Sequence, residues 1–131
     1  MKRTLVVTTF AAVVIFAAAT AWAHHSFAAE FDAKAPITLK GTLTKLEWVN
    51  PHGWVYIDVK NPDGTVTSWS VETGGPNALL RRGVRQSDFK IGVEVVVEGY
   101  KAKSGKPVAN GRTLKTADGR DYFLSASDAV N

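Results

Sequence analysis

Apolar and polar residues alternate along much of the chain after residue 36, which is the pattern of half-buried β-strands. From Ile37 to Leu43 the apolar positions keep one phase, whereas Leu46 and Trp48 follow the opposite phase. A change of phase within one long strand predicts a β-bulge or a strongly coiled strand, and Gly41 would ease the bend.

Turn-forming residues separate the later strands. The segments NPHG at residues 50–53 and NPDG at residues 61–64 have turn composition, so a second strand is predicted from Trp54 to Lys60. Further strands are predicted at residues 65–72, 92–100, 110–116 and 120–124, the last two as a hairpin. Pro76 to Arg82 predicts a short helix that ends near Gly83.

This order of elements predicts an all-β protein with one short helix. We expect an OB-like antiparallel barrel of five or six strands over residues 37–125, preceded by an N-terminal arm at 24–36 and followed by a frayed tail at 126–131. A plain antiparallel sandwich is the alternative, but a helix after the third strand favours the barrel, where it would close one end. The predicted core consists of Ile37, Leu39, Val55, Ile57, Val59, Val93, Val95 and Val97.

The first 23 residues have the organisation of a secretory signal peptide. A basic start at Lys2 and Arg3 is followed by an apolar stretch and by Ala21-Trp22-Ala23, which predicts cleavage before His24. An uncleaved membrane anchor over residues 4–23 is the alternative, since about 20 apolar residues can span a bilayer. Cleavage is favoured by the Ala-rich stretch and its A-x-A ending, so we expect a periplasmic or secreted protein with no stable membrane insertion afterwards.

Charge and cysteine content narrow the classes of partner. The chain carries 16 basic and 12 acidic residues, and removal of Lys2 and Arg3 lowers its net charge from +4 to +2. A dedicated nucleic-acid binder usually has a strongly basic face, so nucleic acid is not an expected partner. The chain has no cysteine and therefore no disulfide, although export would bring it to an oxidising compartment.

The three histidines suggest a metal site. After cleavage, His24 would be the N-terminal residue and could chelate a metal through its free α-amine and ring Nδ1. His25 or His52, the latter in the turn at 50–53, could supply a second ring. Copper is the expected metal, because Cu(II) ranks highest among the divalent first-row metals for such ligands, whereas structural zinc sites are usually thiolate-rich. The plain alternative is a polar terminus and an ordinary turn residue.

Two further groups are candidate ligand-binding residues. Trp54 and Tyr56 share one face of the second strand, and in OB-folds such aromatic residues can stack on bases or sugars. More often, such aromatic residues cover the ends of a barrel and shield a small core. Arg81 and Arg82 on the helix could bind an anion or a partner carboxylate, although such arginines are more often a solvated helix face.

Catalytic patterns are missing from the sequence. It contains no cysteine nucleophile and neither of the His-Glu-x-x-His or His-x-x-Glu-His metal spacings. The sequence therefore favours a non-catalytic copper-binding protein. An interaction module for a periplasmic protein, a glycan or a small anionic ligand is the rival, and a copper oxidase of the N-terminal-histidine type ranks behind both.

Several segments resemble a family of uncharacterised bacterial exported proteins, a domain of unknown function. The resemblance rests on HHSFAAEFD at residues 24–32, KGT at 40–42, EWVNPH at 47–52 and ETGGPNALLRRG at 72–83. It covers nearly the whole mature chain and implies export and a single domain. It implies no substrate, cofactor or functional residue.

Overall fold

The computed structural model describes residues 27–125. Residues 27–30 are helical and belong to a different unit from the barrel, which begins at Phe31. The barrel contains six strands, one α-helix and one 3-10 helix: β1 Phe31–Glu47, β2 Trp54–Lys60, β3 Val66–Glu72, α1 Pro76–Arg81, the 3-10 helix Gln86–Asp88, β4 Glu94–Ala102, β5 Val108–Thr116 and β6 Asp121–Phe123.

Five strands close into a ring, and the sixth extends it. The sheet order is β3-β2-β1-β4-β5-β6, and β3 also pairs with β5, so the ring runs β1-β2-β3-β5-β4 and back to β1. The β3–β5 pairing is parallel, and the other pairings are antiparallel. The prediction of an OB-like barrel with one short helix is confirmed.

The long first strand pairs with two neighbours, as the first strand of an OB-like barrel does. Residues up to Thr42 pair with β4, and residues from Thr42 onward pair with β2. The register with β2 shifts between Leu43 and Lys45, which confirms the predicted bulge. Gly41 lies against the carbonyl group of Asp58, so a side chain at this position would collide with β2.

The start of β1 differs from the prediction. β1 begins at Phe31 rather than at Ile37, so residues 31–36 of the predicted arm belong to the strand. Phe31 pairs with Ala102 of β4 and is buried, and burial of this ring favours continued pairing beyond the irregular region before Pro36. The alternation in residues 31–36 is too weak to show this in the sequence.

The core fills the inside of the ring. Leu39, Val55, Ile57, Val95 and Val97 are buried as predicted, whereas Ile37, Val59 and Val93 are half-buried against the core. The helix α1 contributes Leu79, and Gly83 ends the helical region with φ of 78°, a conformation that glycine adopts without steric cost. The remaining buried core residues are Leu43, Val71, Val84, Phe89, Ala109, Leu114 and Leu124.

Within residues 27–125, no helix has the length and apolar character that a bilayer crossing requires. The predicted signal peptide at 1–23 and the predicted tail at 126–131 lie outside the described residues. The predicted cleavage before His24 therefore stays a prediction.

Candidate functional site: a histidine held by a buried glutamate

The antiparallel pairing of β2 and β3 brings the turn at residues 50–53 beside the end of β3. Trp54, the first residue of β2, is in register with Glu72, the last residue of β3. His52 lies two residues before Trp54, and its side chain contacts the carboxylate of Glu72. Its Nδ1 lies 2.5 Å from Glu72 Oε1. The register of β2 with β3 and the turn that precedes β2 together place an imidazole on a carboxylate 20 residues away in the chain.

The two partners differ in their access to solvent. The side chain of Glu72 is only 11% exposed, whereas that of His52 is 41% exposed. A carboxylate offers only hydrogen-bond acceptors, so the His52 Nδ1–H group donates to Glu72. In the neutral imidazole the lone pair is then on Nε2, the nitrogen that remains for a ligand.

Backbone hydrogen bonds fasten the turn to the segment that follows β3. The Thr73 N–H group donates to the Gly53 carbonyl at 2.9 Å, and the Gly53 N–H group donates to the Gly74 carbonyl at 3.3 Å. The Gly74 N–H group in turn donates to the Leu124 carbonyl at 2.7 Å. Three distant segments of the chain are therefore joined directly behind His52 and Glu72.

Glycines make this close approach possible. A Cβ atom on Gly53 would lie 2.8 Å from Thr73 Oγ1, and a Cβ atom on Gly75 would lie 2.5 Å from the Pro51 carbonyl oxygen. Neither glycine has a positive φ, so both are needed for space rather than for backbone conformation. The Asn50–Pro51 peptide bond in this turn is cis.

The predicted aromatic face lies beside this pair. Trp54 is half-buried between Glu72 on β3 and Glu47 on β1 in the register of the sheet. The Tyr56 hydroxyl donates to Glu47 Oε2 at 3.1 Å, and Lys45 Nζ lies 5.0 Å from the centre of the Tyr56 ring. Tyr56 is thus engaged by its own neighbours.

Lys45 and Glu47 form a charged pair next to Tyr56. Lys45 Nζ donates to Glu47 Oε1 at 2.5 Å, and this hydrogen bond is the main cause of the lowered pKa of Glu47. The pKa of Tyr56 is raised, chiefly by burial and then by its hydrogen bond to Glu47. Both shifts favour the ionisation states of this arrangement, in which the carboxylate accepts and the phenol keeps its proton.

The other predicted site residues fall into two groups. Arg81, which is exposed, and Arg82, which is half-buried, lie at the end of α1. His24 and His25 lie outside the described residues, so their proximity to His52 stays a prediction. Within the described part of the chain, no three His, Asp or Glu side chains form a group that could hold a metal ion.

Sequence reasoning missed Glu72. The sequence places it at the end of the predicted third strand, and only the structure shows that its partner is His52. A signal was nonetheless present, because Glu72 directly precedes Thr73-Gly74-Gly75-Pro76, where two adjacent glycines allow another segment to approach closely.

The fold and this site define a small OB-like barrel that carries a half-exposed histidine on a buried glutamate. The chain belongs to a family of unknown function, DUF6152, whose model matches residues 12–111. That range includes both His52 and Glu72. Neither the curated proteins nor the solved structures yield a match to the chain.

Proposed function

We propose that this protein is an exported, non-catalytic metal-binding protein, and that its metal is copper. The ligands in this proposal are His52, the ring and α-amine of a mature N-terminal His24, and His25 as an alternative source of the second ring. His52 is the ligand for which the structure gives direct support. The support for His24 and His25 comes from the sequence.

The hydrogen bond from His52 to Glu72 carries the proposal. Histidines that bind metals usually donate their other ring N–H to a carboxylate or a carbonyl group, which fixes the ring and raises its basicity. His52 has this arrangement, with Nδ1 on Glu72 and a side chain that is 41% exposed. An ordinary turn histidine would need no buried carboxylate behind it.

Copper is favoured by the type and number of available donors. The chain has no cysteine, so thiolate ligands are excluded, and His52 alone makes an incomplete site. An N-terminal histidine would add an amine and a ring nitrogen, and nitrogen ligands bind Cu(II) most strongly among the divalent first-row metals. Three nitrogen ligands would leave a position for exchange, which suits delivery or buffering of copper.

The rival proposal, an interaction module on the aromatic face, has weaker support. The Tyr56 hydroxyl is bonded to Glu47, and Lys45 lies over the Tyr56 ring, so a ligand stacking there would first displace Lys45. The side chain of His52, by contrast, is 41% exposed.

The experiment compares Cu(II) affinity, measured by competition with a chromogenic chelator, among four forms of the protein. The reference begins at His24, the second form has one alanine before His24, and the third carries His52→Ala. We expect both altered forms to bind Cu(II) about tenfold more weakly or worse. The fourth form, Asp63→Ala in the exposed turn at the other end of β2, is the control and should match the reference.

Two outcomes would overturn the proposal. Unchanged Cu(II) affinity in the alanine-extended protein would show that His24 is not a ligand. Unchanged affinity in His52→Ala would show the same for His52. Export is tested separately, by N-terminal sequencing of the protein released from cells, which should begin at His24. A pool that retains Met1 would contradict the cleavage on which the chelate depends.

A further inference from the structure

We infer that Glu72 is a positioning residue, which makes Nε2 the metal-binding nitrogen of His52 and holds the ring in a single orientation. The metal-binding part of this inference rests on the proposed function. The part that concerns the proton on the ring does not, because it applies to the protein without metal.

The burial of Glu72 is the first reason. A glutamate whose side chain is only 11% exposed is seldom found without a partner, because burial of an unpaired charge is costly. Its hydrogen-bond partner is His52 Nδ1, at 2.5 Å. Rotation of the imidazole would break this bond, so burial of the carboxylate penalises other orientations of the ring.

The rigid placement of Glu72 is the second reason. Its backbone is in register with Trp54 on one side and with Asn110 on the other, at the point where the ring of strands closes. An acceptor held between two strands has little freedom to follow a moving ring. The position of the carboxylate therefore determines the position of the imidazole, rather than the reverse.

The turn that carries His52 is equally constrained. The hydrogen bonds between Gly53 and residues Thr73 and Gly74 tie the turn to the residues that directly follow Glu72. His52 and Glu72 are therefore held by segments that are hydrogen-bonded directly to each other. Because folding already fixes the orientation of the His52 ring, metal binding would not have to restrict the ring any further. The loss of side-chain conformational entropy on binding would therefore be small.

The same face supplies a matched carboxylate for comparison. Glu47 lies opposite Trp54 on β1, just as Glu72 lies opposite Trp54 on β3. Glu47 accepts hydrogen bonds from Lys45 and Tyr56 instead of from a histidine. Substitution of Glu47 changes the charge of this face by the same amount and leaves the His52 hydrogen bond in place.

The first measurement is long-range ¹H–¹⁵N NMR of the His52 ring, without metal, at a pH where the imidazole is neutral. We expect a protonated Nδ1 and an unprotonated Nε2 in the unmodified protein. Glu72→Gln, which can still accept through its amide oxygen, should keep this tautomer, whereas Glu72→Ala should lose the preference. An unprotonated Nδ1 in the unmodified protein would overturn the inference, whether or not copper binds.

The second measurement is Cu(II) affinity in the same variants. Loss of a carboxylate behind a metal-binding histidine typically weakens binding by about 10- to 100-fold, so we expect this loss in Glu72→Ala. Glu72→Gln should lie between Glu72→Ala and the unmodified protein, and Glu47→Gln should bind as the unmodified protein does. If Glu72→Ala fails to fold, the isosteric Glu72→Gln carries the test.

The outcomes separate the two proposals. The expected tautomer together with no copper binding in the unmodified protein would overturn the proposed function and the metal-binding part of the inference, leaving only the tautomer. Copper binding that is equal in all Glu72 variants would overturn the positioning role and leave the proposed function intact. If Glu47→Gln and Glu72→Gln lose the same amount of Cu(II) affinity, the loss comes from the charge of this face and not from the hydrogen bond to His52. That result would also overturn the positioning role of Glu72.

Discussion

The two ends of β2 carry turns of the same composition, Asn-Pro-x-Gly, in two different environments. In the turn at 61–64, the bonds are local: the Asn61 N–H group donates to the Thr65 carbonyl at 2.8 Å, and Asp63 Oδ1 accepts from the Thr65 N–H group at 2.9 Å. In the turn at 50–53, the bonds join distant segments, because Gly53 bonds to Thr73 and Gly74 and His52 bonds to Glu72.

The glycines of the two turns show the same contrast. Gly64 has φ of 87° and open space where a Cβ atom would be, so its turn requires glycine for its left-handed backbone conformation. Gly53 has a crowded Cβ position without a positive φ, so its turn requires space. The same four-residue pattern therefore only connects two strands at residues 61–64. At residues 50–53 it also makes tertiary contacts and holds the His52–Glu72 pair; we call the contacts between this turn and residues 73–75 the joint.

The largest effect is expected where the joint is tightest. Gly75 has φ of −67° and ψ of 163°, which any residue can adopt, but its Cβ atom would lie 2.5 Å from the Pro51 carbonyl oxygen. Gly75→Ala should lower the free energy of unfolding in urea by about 2–3 kcal/mol, because backbone atoms would have to move. Stability equal to that of the unmodified protein would show that the joint can open without loss.

The variable position of each turn gives the next comparison. His52→Ala leaves the buried Glu72 carboxylate without its partner, so we expect a loss of about 1–2 kcal/mol in urea unfolding. Adding Glu72→Gln to His52→Ala should restore part of that loss, because the buried group would no longer be charged. The matching change Asp63→Ala removes bonds from an exposed turn and should destabilise less. A larger loss in Asp63→Ala than in His52→Ala would contradict this ranking.

The exposed turn should respond to conformation alone. At Gly64 an alanine meets no neighbouring atoms but must adopt φ of 87°, which costs about 1 kcal/mol for most residues. Gly64→Asn should lose less than Gly64→Ala, since asparagine tolerates left-handed conformations better. Neither change should alter the NMR signals of the His52 ring, and a change in those signals would show that the two turns are coupled through β2.

Local patterns were sufficient to predict much of the barrel. The alternation around Leu39 and Val55 predicted strands and buried positions, and the change of phase before Leu46 predicted the bulge that lets β1 serve two neighbours. The turn at 61–64 could also be predicted, because its hydrogen bonds lie within the seven residues 61–67. These features depend on residues that are close together in the chain.

The polar pair could not be predicted in the same way. The turn composition at residues 50–53 predicts that His52 lies on a loop, but its partner Glu72 is brought to it by the register of β2 with β3. The crowding at Gly75 likewise depends on Pro51, which approaches only after the barrel has closed. A sequence shows that two glycines adjoin a carboxylate, and only the tertiary structure shows which segment they make room for.

The smallest expected effect is the pH response of the exposed turn. The pKa of Asp63 is lowered, first by the hydrogen bond from the Thr65 hydroxyl and then by that from the Thr65 backbone N–H group. Because the folded-state pKa lies below the unfolded-state value, the charge of Asp63 stabilises the protein fully above the ordinary aspartate range. That contribution is lost as the pH falls through the folded-state pKa.

The stability difference between the unmodified protein and Asp63→Asn should therefore be constant near neutral pH and shrink below about pH 4. Urea unfolding over this range measures the difference, and NMR titration of the Asp63 carboxyl carbon measures its pKa directly. Thr65→Val removes the hydroxyl group and should return the pKa part of the way to its ordinary value. A difference that grows as the pH falls, or an Asp63 pKa at its ordinary value, would mean that the local bonds of this turn do not favour the charged carboxylate.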